Sequence, residues 1–181
     1  MKTIINSDLN PLAQTPELLQ AERDIKYFKS KFDHIIYHDK VYGDKVKLII
    51  WLLFQTGARI SEILQLKSSD ITKEWFVKIK GLKGSENRIV KVQKPPFPVF
   101  INYKYDYYLF PEFSRFFIYR VCKKYNLKLQ VQGMKKESVT HAFRHYYATQ
   151  ALNLQDETNV AGKSLGHKSK KSIVHYDKEK K

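Results

Sequence analysis

The chain has 181 residues, with 33 Lys and Arg against 18 Asp and Glu, so its formal net charge is +15. This length suits one domain with a core of its own, and no apolar run approaches the roughly 20 residues of a bilayer span, so no membrane partner is expected. The one cysteine, Cys122, excludes an internal disulfide and a cysteine-built zinc site, and this predicts a protein of the reducing cytoplasm.

The positive charge lies in the body of the chain. Residues 1–40 hold six basic and six acidic residues, so residues 41–181 carry all of the +15. A folded body with this charge is typical of proteins that bind a polyanion. An anionic membrane or an acidic protein would also be attracted, but 12 Tyr and two Trp among the cations favour nucleic acid.

Apolar periodicity and breaker residues define the elements of the first 70 residues. The pattern predicts a loop over 1–15 and helices over 16–32, 45–55 and 62–66. Gly43-Asp44 is expected to start the second helix, Thr56-Gly57 to end it, and Ser61 to cap the third.

Two short segments rich in β-branched and aromatic residues follow, over 75–80 and 88–92. They flank the Gly-containing stretch 81–87, and this arrangement predicts a β-hairpin. Three prolines beyond residue 94 end it.

The rest of the chain is expected to be helical, with helices over 112–125, 140–153 and 156–166 and a short last one from Ser169. Thr140 is the expected cap of the second of these. The sequence therefore predicts a mixed α+β fold, mainly helical, with one small antiparallel sheet.

His141 and Arg144 are spaced three residues apart at the start of a predicted helix, so they share one face. Helix N-termini bind anions well because unpaired N–H groups and the positive dipole end point outward. The pair could therefore hold a phosphate and exchange a proton with it. The alternative is a solvated helix turn.

Two further cations follow glycines. Arg59, in TGARISEIL, precedes a predicted helix start, where its guanidinium could grip two phosphate oxygens or form an ion pair with Glu62. Lys83, in GLKGSENRIV, lies in the hairpin loop, where it could contact a phosphate or protonate a leaving oxygen. The alternative is an exposed turn lysine, and Lys80 is the competing candidate.

Near the end of the chain, His167 follows Leu165-Gly166, and Tyr176 follows nine residues later. A phenol is a poor nucleophile near neutral pH unless cations stabilise its oxyanion or a base takes its proton. The alternative for Tyr176 is an aromatic side chain packed at the edge of the body. His145 and His175 are further candidates without an assigned partner.

The order of these residues resembles the catalytic domain of the tyrosine recombinase (phage integrase) family over roughly residues 41–178. TGARISEILQL resembles the segment of the family's first arginine, and KGSENRIV the hairpin lysine segment. THAFRHYYAT and LGHKSKKSIVHY resemble the two later segments, and Tyr108-Leu109-Phe110-Pro111 resembles a common intervening one.

The resemblance implies DNA strand exchange on double-stranded DNA. Arg59 and Arg144 would hold the scissile phosphate while Tyr176 attacks phosphorus, forming a covalent 3′-phosphotyrosyl intermediate. Two fixed guanidinium ions would stabilise the charge that develops in the transition state.

The same resemblance assigns the proton transfers. Lys83 would protonate the departing 5′ oxygen, and His141 and His167 would assist by proton transfer and hydrogen bonding. No metal or nucleotide cofactor is implied, because the phosphotyrosyl bond conserves the energy needed for rejoining.

The resemblance divides the chain into an N-terminal extension, 1–40, and a catalytic domain, 41–181. Family members usually carry a larger helical core-binding domain, so we expect either weaker site selection or a separate protein that supplies that half. The five charged residues after Tyr176 offer no apolar area, and this predicts a monomer that assembles only on DNA.

Three functions remain open. The first is a minimal recombinase or integrase of a mobile element or virus. The second is a nicking-closing enzyme resembling type IB topoisomerases, and the third is a non-catalytic DNA-binding accessory module that keeps the fold.

Overall fold

The computed structural model describes residues 40–125 and 139–155 (for 139 and 149–155 the backbone alone), residue 127 and a few positions between 23 and 35. Described positions between 23 and 32 are helical, in agreement with the helix predicted over 16–32. Beyond them the elements are α1 (Lys40–Thr56), α2 (Ile60–Ile63), a 3₁₀ turn (Ser68–Asp70), β1 (Phe76–Ile79), β2 (Arg88–Lys91), α3 (Arg115–Lys124) and α4 (Val139–Gln155).

Helix α1 is the central element of the core. Its apolar run, residues 48–54, is buried along its whole length, as expected for a helix enclosed on all sides. The helix begins at Lys40, so the predicted start after Gly43-Asp44 is wrong. The Tyr42 ring packs 4.6 Å from the Phe113 ring, and this contact offsets the cost of about 1 kcal/mol for a glycine inside a helix.

Helix α2 is a single turn that begins directly after Arg59, whose backbone is extended (φ −70°, ψ 147°). Ser61 lies inside this turn, so its predicted capping role is wrong. The side chain of Glu62 takes that role, because its Oε2 accepts the Arg59 N–H at 2.9 Å.

The predicted hairpin is confirmed, with each strand slightly shorter than expected. Strands β1 and β2 are antiparallel, with Val77 opposite Val90 and Ile79 opposite Arg88. The side chains of these four residues are buried, whereas their neighbours along each strand are exposed, so one face of the hairpin covers the core.

Helix α3 starts at Arg115, three residues later than predicted, because the Ser114 side chain caps it by accepting the Phe117 N–H at 3.2 Å. Its inner face carries Cys122, and burial raises the pKa of this thiol to about 12. Cys122 is therefore a protonated core residue at neutral pH.

Helix α4 begins one residue earlier than predicted, so Thr140 lies in its first turn and does not precede the helix. It packs on α1, where the Tyr146 ring stacks on the Phe54 ring at 5.4 Å. The helices predicted over 156–166 and from Ser169 lie outside the described residues. The predicted fold class, mainly helical with a small antiparallel sheet, is confirmed.

Within the described part of the chain, no helix is both long enough and apolar enough to cross a membrane.

Candidate active site

Arg59 lies in the turn between α1 and α2 and reaches the hairpin loop. Its Nη1 donates to Glu62 Oε1 at 3.2 Å, to the Leu82 carbonyl at 3.5 Å and to Ser85 Oγ. The ion pair with Glu62 considered from sequence is therefore present, but the same guanidinium also contacts both sides of the loop residue Lys83. A quarter of the Arg59 side chain is exposed, so it remains open to a ligand.

Lys83 is exposed at the tip of this loop and has a left-handed backbone conformation, with φ +53°. The loop is held by bonds from the Gly81 N–H to Asn87 Oδ1 at 2.9 Å and from the Ser85 N–H to the Leu82 carbonyl at 3.1 Å. A non-glycine residue in this conformation carries backbone strain, and such strain is concentrated at functional sites.

The competing lysine, Lys80, has a different environment. Its Nζ lies 3.7 Å from Asp70 Oδ1, next to the 3₁₀ turn. The structure therefore gives Lys80 an acidic partner on the body of the protein, whereas Lys83 belongs to the loop that Arg59 contacts through Leu82 and Ser85.

Arg144 approaches the same turn from helix α4. Its side chain is buried, and its Nη1 donates to the Gly57 carbonyl at 2.9 Å. Gly57 is two residues before Arg59, so this bond fixes the second arginine at the turn that carries the first. His141 is exposed and lies one helical turn before Arg144.

Gly57 allows this close approach. Its φ of +57° is a conformation that side-chain-bearing residues rarely adopt, and a Cβ at this position would lie 2.7 Å from the Tyr147 side chain. Helix α4 therefore packs directly on the turn that carries Arg59.

Glu62 connects these parts, although from sequence it was considered only as a partner for Arg59. Its buried carboxylate accepts hydrogen bonds from the Arg59 N–H at 2.9 Å, the Leu82 N–H at 3.3 Å and Arg88 Nη2 at 3.0 Å, besides the Arg59 side chain. Burial alone raises the pKa of Glu62, but the Arg59 N–H and the Arg88 charge outweigh it, so the pKa lies below its ordinary value. Glu62 is therefore ionised at neutral pH.

Arg88 is the second residue that sequence analysis missed. It occupies an inward position of β2, with its side chain 5% exposed. The signal that could have identified it is the alternation of the strand, which places Arg88 on the same face as Val90.

Four of the six residues selected from sequence lie in the described part of the chain: Arg59, Lys83, His141 and Arg144. The contacts above bring Arg59, Arg144 and the Lys83 loop together around Gly57 and Glu62. His167 and Tyr176, and the further candidate His175, lie outside the described residues.

Comparisons with known proteins match most of the chain. The model of the phage integrase family matches residues 34–181. The tyrosine recombinase XerA of Pyrococcus furiosus is 31% identical over 153 residues, covering 77% of this chain and 51% of that protein. XerH of Campylobacter jejuni is 25% identical over 182 residues, covering 91% of this chain and 50% of that protein.

Solved structures share the fold. The XerH site-specific recombinase bound to difH substrate, in a pre-cleavage complex, aligns with a TM-score of 0.62 at 22% identity, over 84% of this chain and 48% of that one. The catalytic domain of bacteriophage HP1 integrase aligns with a TM-score of 0.58 at 21% identity, over 87% of this chain and 84% of that domain.

The chain spans about half the length of the curated relatives that it matches. It covers 84% of the HP1 catalytic domain, with which it shares the fold. On the family match over residues 34–181 and the shared fold, this chain belongs to the phage integrase family of tyrosine recombinases and has its catalytic-domain fold.

Proposed function

We propose that this chain cleaves and rejoins double-stranded DNA through a covalent 3′-phosphotyrosyl intermediate, as a site-specific recombinase of a mobile element or virus. The observation that carries the proposal is the convergence of Arg59, Arg144 and the Lys83 loop on one turn, in a chain of this family. The net charge of +15 supports a DNA substrate, as does the XerH relative, which is bound to difH substrate in its solved structure.

In the proposed reaction, Tyr176 gives its proton to one of the assisting histidines, His141 or His167, and its oxygen attacks the scissile phosphorus. The bond from phosphorus to the tyrosine oxygen forms as the bond to the 5′ oxygen breaks. Arg59 and Arg144 stabilise the added negative charge, and their fixed positions mean that little reorganisation is needed during the reaction. His141 and His167 assist with hydrogen bonds and proton transfer.

Lys83 is the proposed general acid for the departing 5′ oxygen. Its exposed position in the loop that Arg59 contacts supports this role, because the general acid has to reach the leaving group of the phosphate that Arg59 holds. The ion pair of Lys80 with Asp70 favours Lys83 over Lys80.

Tyr176 is favoured as nucleophile over the two tyrosines of helix α4. Tyr146 is buried and stacks on Phe54, and Tyr147 lies against Gly57. Tyr146 packs α4 on α1 and Tyr147 packs it on the turn after α1, and this packing restricts the movement that an attacking oxygen needs.

The proposal is tested with nicked suicide duplexes that carry a randomised target region. Cleavage of such DNA releases a short strand and traps the protein on the remainder, so a covalent adduct is expected on a denaturing gel. Sequencing the trapped DNA would identify the target. No adduct with any sequence, despite binding to the pool, would favour a non-catalytic DNA-binding module.

Arginine variants make this test specific. Arg59→Ala and Arg144→Ala should each slow adduct formation by about 10²–10³-fold, the typical effect of removing one preorganised donor. Arg120→Ala is the matched control, because Arg120 is an exposed arginine of α3. Near-normal cleavage by either site variant would exclude that arginine from the phosphate site.

Plasmid relaxation separates recombination from a topoisomerase-like reaction. A recombinase should join two duplexes that carry the trapped sequence. Relaxation of supercoiled plasmid without any recombinant product would favour the nicking-closing enzyme.

A further inference from the structure

Arg88 is a buried cation at a position that the strand pattern reserves for core residues. It is the first residue of β2, and its inward neighbour Val90 is apolar. Burying a charge is unfavourable unless a partner compensates it, and Glu62 Oε2 lies 3.0 Å from Arg88 Nη2. The ion pair joins the hairpin to helix α2.

The carboxylate that Arg88 contacts is shared with the candidate active site. Oε2 of Glu62 also accepts the Arg59 N–H, and Oε1 accepts the Arg59 side chain and the Leu82 N–H. Leu82 is the residue before Lys83. One carboxylate therefore holds the backbone and side chain of Arg59 together with the loop that carries the proposed general acid.

Direct contact of Arg88 with DNA is not compatible with this geometry. Its Nε and Nη1 atoms are fully buried and have no hydrogen-bond partner in the part of the chain that the structure describes. The third guanidinium nitrogen, Nη2, is bonded to Glu62. Any effect of Arg88 on the reaction therefore passes through Glu62.

We propose that Arg88 is a positioning residue, whose buried ion pair with Glu62 fixes Arg59 and the Lys83 loop relative to each other. The inference rests on the proposed function of Arg59 and Lys83. Without Arg88, the buried carboxylate would lack its closest compensating charge inside the hairpin, and its bonds to the Arg59 and Leu82 N–H groups would loosen.

The first measurement needs no activity. Amide hydrogen exchange is measured at the Arg59 and Leu82 N–H groups in the Arg88→Met variant. Methionine is apolar and similar in length to arginine, so it removes the charge and keeps most of the packing. We expect faster exchange at these two amides than the loss of global stability explains. Val77→Ala is the control, because Val77 is buried in the same sheet and opposite Val90.

The second measurement is single-turnover cleavage of the suicide duplex. A misplacement of about 1 Å can cost about 10²-fold in rate, so we expect a loss of this order in Arg88→Met with DNA affinity little changed. Arg88→Lys should recover part of the rate. A duplex with a 5′-bridging sulfur needs no general acid. With this duplex, Arg88→Met should therefore recover the part of its cleavage rate that was lost because Lys83 is misplaced.

The outcomes separate this inference from the proposed function. Unchanged exchange at the Arg59 and Leu82 amides in Arg88→Met would overturn it, as would a cleavage rate equal to that of the wild type. The inference would also be overturned if Val77→Ala lost as much cleavage rate as Arg88→Met at equal stability, and the bridging sulfur did not reduce the loss in Arg88→Met. Selective loss of amide protection in a protein that forms no adduct would support the Arg88 contact and reject the proposed function.

Discussion

At the turn between α1 and α2, Gly57 has a backbone conformation that favours glycine, and it leaves room for a neighbouring side chain. Its φ of +57° disfavours any side chain, and the Tyr147 side chain occupies the space that a Cβ would need. Its carbonyl oxygen also receives the hydrogen bond from Arg144. One residue without a side chain therefore determines how closely α4 approaches the turn that carries Arg59.

We predict that Gly57→Ala lowers the free energy of unfolding by about 2–5 kcal/mol, the sum of the left-handed strain and the overpacking against Tyr147. Gly84→Ala is the matched control. Its φ of +82° is also positive, but within the described part of the chain no residue other than its two chain neighbours comes within 4 Å of the added Cβ, so only the strain of about 1–2 kcal/mol applies. Urea denaturation measures the free energy of unfolding of both variants. Equal losses would show that the Tyr147 side chain moves away from the added Cβ without destabilising the protein.

Lys83 provides the second test at the scale of a single residue. We predict that Lys83→Ala cleaves an ordinary duplex slowly and a 5′-bridging sulfur duplex at close to the wild-type rate, because a thiolate leaves without a proton. Lys80→Ala, which removes the partner of Asp70, should cleave both duplexes normally. Rescue by sulfur in Lys80→Ala and not in Lys83→Ala would transfer the role to Lys80.

At the scale of elements, local patterns predicted the hairpin and helices α1, α3 and α4, but not all of their ends. The β-branched and aromatic residues over 75–80 and 88–92, on either side of a Gly-containing stretch, are a local signal that requires no tertiary information, so both strands were found. The start of α1 was missed because Gly43 is a local signal for a helix boundary, which the distant contact of Tyr42 with Phe113 overrides.

In the candidate site, too, the residues in local motifs were predicted and the residues joined by distant contacts were not. Arg59, Lys83 and Arg144 were found from their motifs, and the structure brings their segments together. Glu62 and Arg88 were missed as site residues because their ion pair joins positions 26 residues apart. The strand alternation marks Arg88 as inward-facing, but no local pattern pairs it with Glu62. This ion pair depends on how the hairpin packs against α2, which is known only from the folded structure.

The ion pair between Glu62 of α2 and Arg88 of β2 predicts that the protein loses stability in acid. Since the pKa of Glu62 is lowered in the folded protein, its ionised form stabilises the fold above the ordinary glutamate pKa of about 4.3, and this contribution is lost as the pH falls below that value. We predict that the free energy of unfolding decreases below about pH 4.3 and that Glu62→Gln responds less steeply. Urea denaturation at several pH values measures this.

Glu112→Gln is the control for the acid response. Glu112 pairs with Lys45 at 2.6 Å, but both side chains are one-third exposed, so the pair contributes little to stability. Its acid response should follow that of the wild type. An equally steep response in Glu62→Gln and the wild type would show that other carboxylates dominate acid unfolding.

At the scale of the whole molecule, the charge of +15 predicts how DNA affinity depends on salt. Neutralised phosphates release counterions, so log K should fall linearly with log salt, with a slope of about −0.9 for each phosphate contacted on duplex DNA. Fluorescence anisotropy with a labelled duplex measures the slope. A flat response would mean that the basic body is not the DNA-binding surface.

The nucleophile is the central claim, and mapping the adduct tests it most directly. Wild type and Tyr176→Phe are incubated with the trapped suicide duplex, and the adduct is digested and sequenced. We predict that the DNA is attached to the peptide containing Tyr176, and that Tyr176→Phe binds DNA with nearly unchanged affinity but forms no adduct, because only the attacking oxygen is lost. Adduct formation by Tyr176→Phe, or attachment at Tyr146 or Tyr147, would contradict the account.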